Sequence, residues 1–236
     1  MNEIMIALDF SSKKEAMTLI EKFDDESMYL KVGMELFYAE GKDFIRILKE
    51  KGHQIFLDLK LHDIPNTVYR AMKNLASLEI DMINVHASGG KEMMIAAKKG
   101  LEDGTKEGAQ RQLLIAVTQL TSTTEAQMKS EQFVSGTLEE SVLRYAKLAN
   151  EAGLDGVVCS AWEAEGIHEV TDSKFICVIP GIRPKDFEAD DQKRVATPRM
   201  ARELGASCIV VGRPITQVMD SVATYRSIKK QWEEVN

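Results

Sequence analysis

The sequence predicts an α/β protein built as one (β/α)8 TIM barrel, and three observations lead there. Short apolar runs rich in β-branched residues recur along the chain with helical patterns between them. Eight such units fill 236 residues without a Gly/Ser linker or a block of charge to divide them. The first strand is not followed by the G-x-G-x-x-G turn that would suggest a doubly wound dinucleotide-binding sheet. Residues 1–236 are therefore expected to form a single barrel domain, with its active site at the C-terminal ends of the strands.

In chain order, the first strand is expected at 4–9, where Ile6-Ala7-Leu8 runs into Asp9, and an amphipathic helix at 12–23 follows it. The second, at 28–32, carries Lys31 within Tyr29-Leu30-Lys31-Val32-Gly33 and leads to a helix at 37–51. The third, at 54–60, begins after a glycine as His53-Gln54-Ile55-Phe56-Leu57 and precedes a helical pattern at 67–78. Strands at 81–86 and 112–118 flank a helix at 91–100, and a helix at 138–153 leads to a strand at 156–160. Strands at 174–180 and 208–212 complete the set before a last helix at 221–233. The connections at 120–137 and 181–194 are longer than their neighbours, which makes both candidate lids.

Charge appears where the third strand should end quietly. Strand side chains alternate faces, so Asp58 and Lys60 point one way while Leu57, Leu59 and Leu61 point the other. An acid and a base aimed into one interior lose hydration unless they pair or bind something. Asp63 adds a third charge three residues later. Asp9 and Lys31 end or occupy the first two strands, so four charges from three neighbouring strands meet on one rim. Each alone reads as a solvated strand end; together they read as a site. On the opposite side, Pro180-Gly181-Ile182-Arg183-Pro184 follows the seventh strand and Val211-Gly212-Arg213-Pro214 the eighth. Barrels often bind phosphate with these two loops, where Gly212 permits close approach and Arg213 offers a forked donor.

Composition removes several classes. The formal charge of -7, with acids and bases interspersed, gives no basic stripe for nucleic acid. No apolar run reaches the length of a membrane span, and the N-terminus lacks a signal-peptide pattern. A soluble, cytoplasmic protein is expected. Cys159, Cys177 and Cys208 sit in apolar runs and read as small buried hydrophobes. The four histidines have no metal-ligand spacing. Of these, His86 faces the rim, His62 reads as structural, and His53 and His168 as surface residues. Trp162 and Trp232 read as packing.

These residues in combination resemble the orotidine 5′-phosphate decarboxylase family. The resemblance covers essentially the whole chain and is carried by Ile6-Ala7-Leu8-Asp9, Leu30-Lys31-Val32-Gly33, Asp58-Leu59-Lys60-Leu61-His62-Asp63-Ile64-Pro65-Asn66-Thr67 and Asn84-Val85-His86-Ala87. Val117-Thr118-Gln119-Leu120-Thr121-Ser122, Pro180-Gly181-Ile182-Arg183 and Val211-Gly212-Arg213-Pro214-Ile215 extend it. The D-x-K-x-x-D core is shared with a wider group of phosphosugar barrels; with Lys31 and the last two loops it becomes specific. The resemblance implies decarboxylation of orotidine 5′-phosphate to uridine 5′-phosphate, without cofactor or metal, by an array of Lys31, Asp58, Lys60 and Asp63. It implies that Asp9 and Lys31 hold ribose hydroxyls, that Thr121 lies at the pyrimidine, and that Arg183, Gln192, Gly212 and Arg213 hold the phosphate. It also implies a homodimer with composite sites, in which Asp63 and Thr67 come from the partner subunit.

Two other readings remain at this stage. A Mg2+-dependent decarboxylase or aldolase acting on a keto-sugar phosphate shares the D-x-K-x-x-D core but carries an acidic metal ligand where this chain has Lys31. A barrel that binds a phosphorylated ligand without turnover does not require the Asp-Lys-Asp array.

Overall fold

The computed structural model describes residues 2–24, 26–184 and 196–234. Among them, eight parallel strands pair in chain order, and the last pairs with the first to close the barrel. The strands are β1 (Glu3–Ala7), β2 (Tyr29–Gly33), β3 (Gln54–Leu61), β4 (Met82–His86), β5 (Leu113–Val117), β6 (Gly156–Val158), β7 (Ile176–Ile179) and β8 (Cys208–Val211). The intervening helices are α1 (Lys13–Ile20), α2 (Met34–Glu50), α3 (Pro65–Ala76), α4 (Gly90–Gly104), α5 (Glu125–Glu131), α6 (Leu138–Glu151), α7 (Ala164–Val170), α8 (Pro198–Glu203), α9 (Arg213–Thr216) and α10 (Ser221–Glu233).

The period of two in the strands produces two separate apolar layers. Met5, Tyr29, Phe56, Met82, Ile115 and Val210 belong to a cluster that fills the barrel interior. Their sequence neighbours Ile4, Leu30, Ile55, Leu57, Ile83 and Ile209 belong to the larger cluster shared with the helices. The interior parity, followed to the C-terminal ends, is the parity of Asp9, Lys31, Asp58, Lys60 and Asn84. Hence the charged residues continue the inward-facing columns whose lower positions are apolar. At the other end, Asp155 accepts the Leu114 N–H and forms a two-pronged pair with Arg111 at 2.8 and 2.9 Å. Asp81 similarly accepts the Ile55 N–H while pairing with Lys49. These carboxylates bind strand ends.

Helix α3 follows the site-bearing β3, and α4 holds it tightly. A Cβ added at Gly100 or Gly104 would lie 2.3 or 2.4 Å from the Tyr69 or Lys73 carbonyl oxygen, so only glycine permits this approach of α4 to α3. The connection at 120–137 contains helix α5, closed at its start by a reciprocal Thr124–Gln127 capping box. α2 also begins earlier than its apolar pattern suggested and bends at Gly41, whose φ is +68°. The loop at 181–194 is described only as far as residue 184.

Three surface or packing expectations change. His53 is buried, and its Nδ1 accepts the Met28 N–H; burial, reinforced by Lys51, lowers its pKa. His168 is half-buried and its two ring nitrogens face the carbonyl oxygens of Asp172 and Gly205 at 3.1 and 2.9 Å. Cys177 and these carbonyls outweigh burial and raise its pKa. Trp162, read as packing, is 55% exposed, whereas Trp232 is buried as expected. The three cysteines are buried, Cys208 within the barrel and Cys159 and Cys177 beneath the helices.

Candidate active site

Asp58 is the hub of the rim. Its Oδ1 accepts the Lys60 ammonium at 2.7 Å and the Asn84 Nδ2 at 2.6 Å, while its Oδ2 faces the Lys31 ammonium at 3.5 Å. Lys31 in turn donates to Asp9 Oδ1 at 2.9 Å. The four charges, from β2, β3 and the segment just after β1, thus form one alternating chain, Asp9–Lys31–Asp58–Lys60. Burial alone would raise the pKa of Asp58, but Lys31 and Lys60, with the hydrogen bonds from Lys60 and Asn84, hold it below the ordinary carboxylate range. Burial pulls Lys31 the other way from its partners; Asp58 and Asp9 prevail and raise its pKa. Both groups are charged at neutral pH.

Beside this chain is a cavity of about 230 Å3 lined by Asp9, Lys31, Asp58 and Lys60. Gly181 and Arg183 after β7, Gly212 and Arg213 after β8, and Gln119 and Thr121 after β5 also line it. Val158, Val178 and Val210 supply an apolar floor. The cavity therefore combines fixed charge, guanidinium groups and apolar surface. Gly181 turns with φ +74°, a conformation that favours glycine. Gly212 has φ -106° and needs no such freedom; its missing side chain leaves room beside Ala7 and Asp9.

Another cavity, of about 360 Å3, opens at the N-terminal end of the barrel near Tyr29, Asp81 and Arg111. Asp81 is engaged by Lys49 and Arg111 by Asp155, so its charges serve as braces.

The structure brings together most of the expected residues. Asp63 and Thr67 are exceptions: both are exposed and neither lines this cavity. Asp63 Oδ1 accepts the Ile64 N–H at 2.6 Å, and Ile64, not Asp63, occupies the N-cap position of α3. Gln192 lies outside the described residues. His86 packs against His62 with ring centroids 5.7 Å apart; burial, then the charges of His62 and Lys60, lowers its pKa. Sequence reasoning assigned no role to Asn84 or Gln119. Asn84 shares the inward parity of β4 with His86, which was the available signal. Gln119 donates through Nε2 to Ser141 Oγ on α6 at 3.1 Å, a partner only folding reveals.

Among the described residues, no three His, Cys, Asp or Glu side chains form a candidate metal-ligand group. None of the helices there is long and apolar enough to cross a membrane.

The chain is 56% identical over 232 residues to an orotidine 5′-phosphate decarboxylase of Bacillus cytotoxicus, with 98% of each chain covered. A solved orotidine 5′-phosphate decarboxylase from Lactobacillus acidophilus is 44% identical and superposes with a TM-score of 0.89, covering 99% of this chain and all of that one. An uncharacterized conserved protein from Geobacillus kaustophilus is 47% identical with a TM-score of 0.88, over 98% of this chain and 100% of that one. The model of the orotidine 5′-phosphate decarboxylase / HUMPS family matches residues 2–228, and with relatives this similar from end to end the chain belongs to that family.

Proposed function

We propose that this protein converts orotidine 5′-phosphate to uridine 5′-phosphate and carbon dioxide, as a cytoplasmic step of pyrimidine nucleotide synthesis. The observation that carries this reading is the alternating chain Asp9–Lys31–Asp58–Lys60 lining a cavity that Arg183 and Arg213 also line. Such a cavity suits a substrate with an anionic phosphate at one end and a reacting carboxylate at the other.

The reaction explains the need for fixed charge. When the bond from C6 to the carboxylate breaks, its electron pair remains on C6 in an sp2 orbital orthogonal to the pyrimidine π system. Ring delocalisation cannot absorb it, so local electrostatics must. In this reading the Lys60 ammonium stabilises that pair and then donates its proton to C6; the resulting amine regains a proton from water. Asp58, kept ionised, faces the departing carboxylate and holds both lysines charged and aligned. Asp9 and Lys31 bind ribose hydroxyls, Thr121 lies at the pyrimidine, and Gly212, Arg183, Arg213 and Gln192 receive the phosphate. The residues supply this chemistry without a cofactor. Lys31 between Asp9 and Asp58 puts an ammonium where a metal-dependent barrel needs a ligand.

The proposal includes a homodimer with composite sites. Asp63 and Thr67 lie outside the cavity of their own barrel. Ile64 is 66% exposed beside them, and Met34 and Tyr38, one turn apart on α2 after the adjacent strand, are also exposed. Exposed apolar side chains, Ile64 among them next to Asp63, suit a twofold interface that carries each Asp63 to the other subunit's Lys60.

Mixing orotidine 5′-phosphate with the purified protein should remove pyrimidine absorbance at a rate unaffected by a chelator. No turnover would sink the assignment; loss of turnover with chelator would favour a metal-dependent sugar-phosphate enzyme. Arg213→Ala should lower kcat/KM for the phosphorylated substrate by about one to two decades, from about 1.5–3 kcal/mol of charge-assisted contact. Activity on orotidine should barely change. Equal losses on both substrates would mean that Arg213 supports the fold or the chemistry instead.

A further inference from the structure

Beyond the charged chain, one neutral side chain touches both its hub and its far end. β3 and β4 change register between Leu57 and Leu61, and within this irregularity Lys60 adopts φ +52°. A non-glycine residue in the left-handed region is strained and persists only where its surroundings hold it. Here the Lys60 N–H donates to Asn84 Oδ1 at 2.8 Å, while Asn84 Nδ2 donates to Asp58 Oδ1 at 2.6 Å. The amide orientation is unambiguous, because the backbone N–H requires an oxygen and the carboxylate requires a donor. Asn84 is 0% exposed, so no water competes for either bond.

These contacts act on two different groups. One fixes the backbone bend from which the Lys60 side chain departs; the other fixes the carboxylate that Lys60 Nζ meets at 2.7 Å. A valine or isoleucine, usual for an inward strand position, would leave the Lys60 N–H and Asp58 Oδ1 each short of a partner.

We propose that Asn84 is a positioning residue for proton delivery, clamping the Lys60 backbone and the Asp58 carboxylate with one amide so that the Lys60 ammonium is aimed at the reacting carbon. This rests on the decarboxylase reading above and adds a residue to it. Because misplacing a reacting group by about an ångström costs roughly 10²-fold, loss of the clamp should appear in kcat far more than in substrate binding.

Asn84→Ala and Asn84→Asp test it together. Asn84→Ala should lower kcat by about 10²-fold while KM and the affinity for uridine 5′-phosphate stay within about threefold. Asn84→Asp keeps the shape and the acceptor for Lys60 N–H, but when ionised cannot donate to Asp58 and sets a second carboxylate against it. When protonated it restores a donor. Its deficit relative to wild type should therefore shrink as the pH falls from about 8 to about 5, since paired carboxylates raise one another's pKa. The deficit of Asn84→Ala should not shrink. Near-wild-type kcat in both variants, or product affinity falling in step with kcat, would overturn the proposal. A readout independent of turnover separates it from the assignment of the reaction. In a crystal structure of Asn84→Ala, the Lys60–Asp58 contact should be broken or Lys60 should leave its left-handed conformation. Retention of both overturns the clamp even if the reaction is confirmed, and their loss supports it even if the substrate proves different.

Discussion

Lys60→Ala abolishes measurable decarboxylation in a protein that still folds. The ammonium of Lys60 lines the cavity and pairs with Asp58 at 2.7 Å, so in the proposed reaction it is both the charge nearest the carbanion and its proton source. General acid catalysis typically contributes about 10²–10⁴-fold, and removing a preorganised electrostatic partner costs about 10²–10³-fold more. The fold should survive because Asp58 keeps its contacts with Lys31 and Asn84, leaving no buried carboxylate unpaired. Circular dichroism and binding of uridine 5′-phosphate would establish that the variant is assembled; a single-turnover assay would read the chemistry. Turnover within a few-fold of wild type would remove Lys60 from the role of proton donor.

A mixture of two inactive variants, Asp63→Ala and Lys60→Ala, recovers activity once their subunits exchange. Asp63 is exposed and absent from the wall of its own cavity, with its carboxylate held beside the Ile64 N–H at the rim. If each Asp63 completes the partner's site, a heterodimer contains one site with both defects and one with neither. Activity should reach up to about half that of wild type per heterodimer. The expectation depends on a twofold axis that exchanges the rims, and Ile64, exposed next to Asp63, is an apolar side chain such an interface would cover. No recovery, with exchange demonstrated by mass-tagged subunits, would show that Asp63 serves its own barrel or none.

How much of this was legible beforehand depended on the range of the interaction concerned. The barrel was legible because each strand and helix states its own period: Ile4, Met5 and Ile6 alternate between two apolar layers as their spacing requires. The site was legible in part for the same reason. Asp58 and Lys60 share a parity, and a closed parallel barrel puts the ends of neighbouring strands together, so Asp9 and Lys31 had to be near them. Boundaries were less exact. β1 ends at Ala7, leaving Asp9 beyond its last ladder residue, and β6 contains only Gly156–Val158. Ladder ends depend on partner strands, which no local pattern encodes.

His53 and His168 show the limit of reasoning from residue type alone. Both were expected at the surface, yet each is fixed by backbone groups distant in sequence: the Met28 N–H for His53 and the Gly205 carbonyl for His168. Asn84 is the functional counterpart. Its identity and parity were visible, but its worth comes from a register shift between β3 and β4 and from the left-handed turn at Lys60. The sequence by itself determined the eight-unit barrel, the inward column of acids and bases, and the arginine-bearing loops on the same rim, because these follow from periodicity and strand order. Only the tertiary structure decided which oxygen of Asp58 meets which lysine, which amide joins them, and that Asp63 stands outside the cavity. Those outcomes rest on contacts a few ångströms long between segments far apart in the chain, and hydrogen-bond geometry is fixed only when the segments pack.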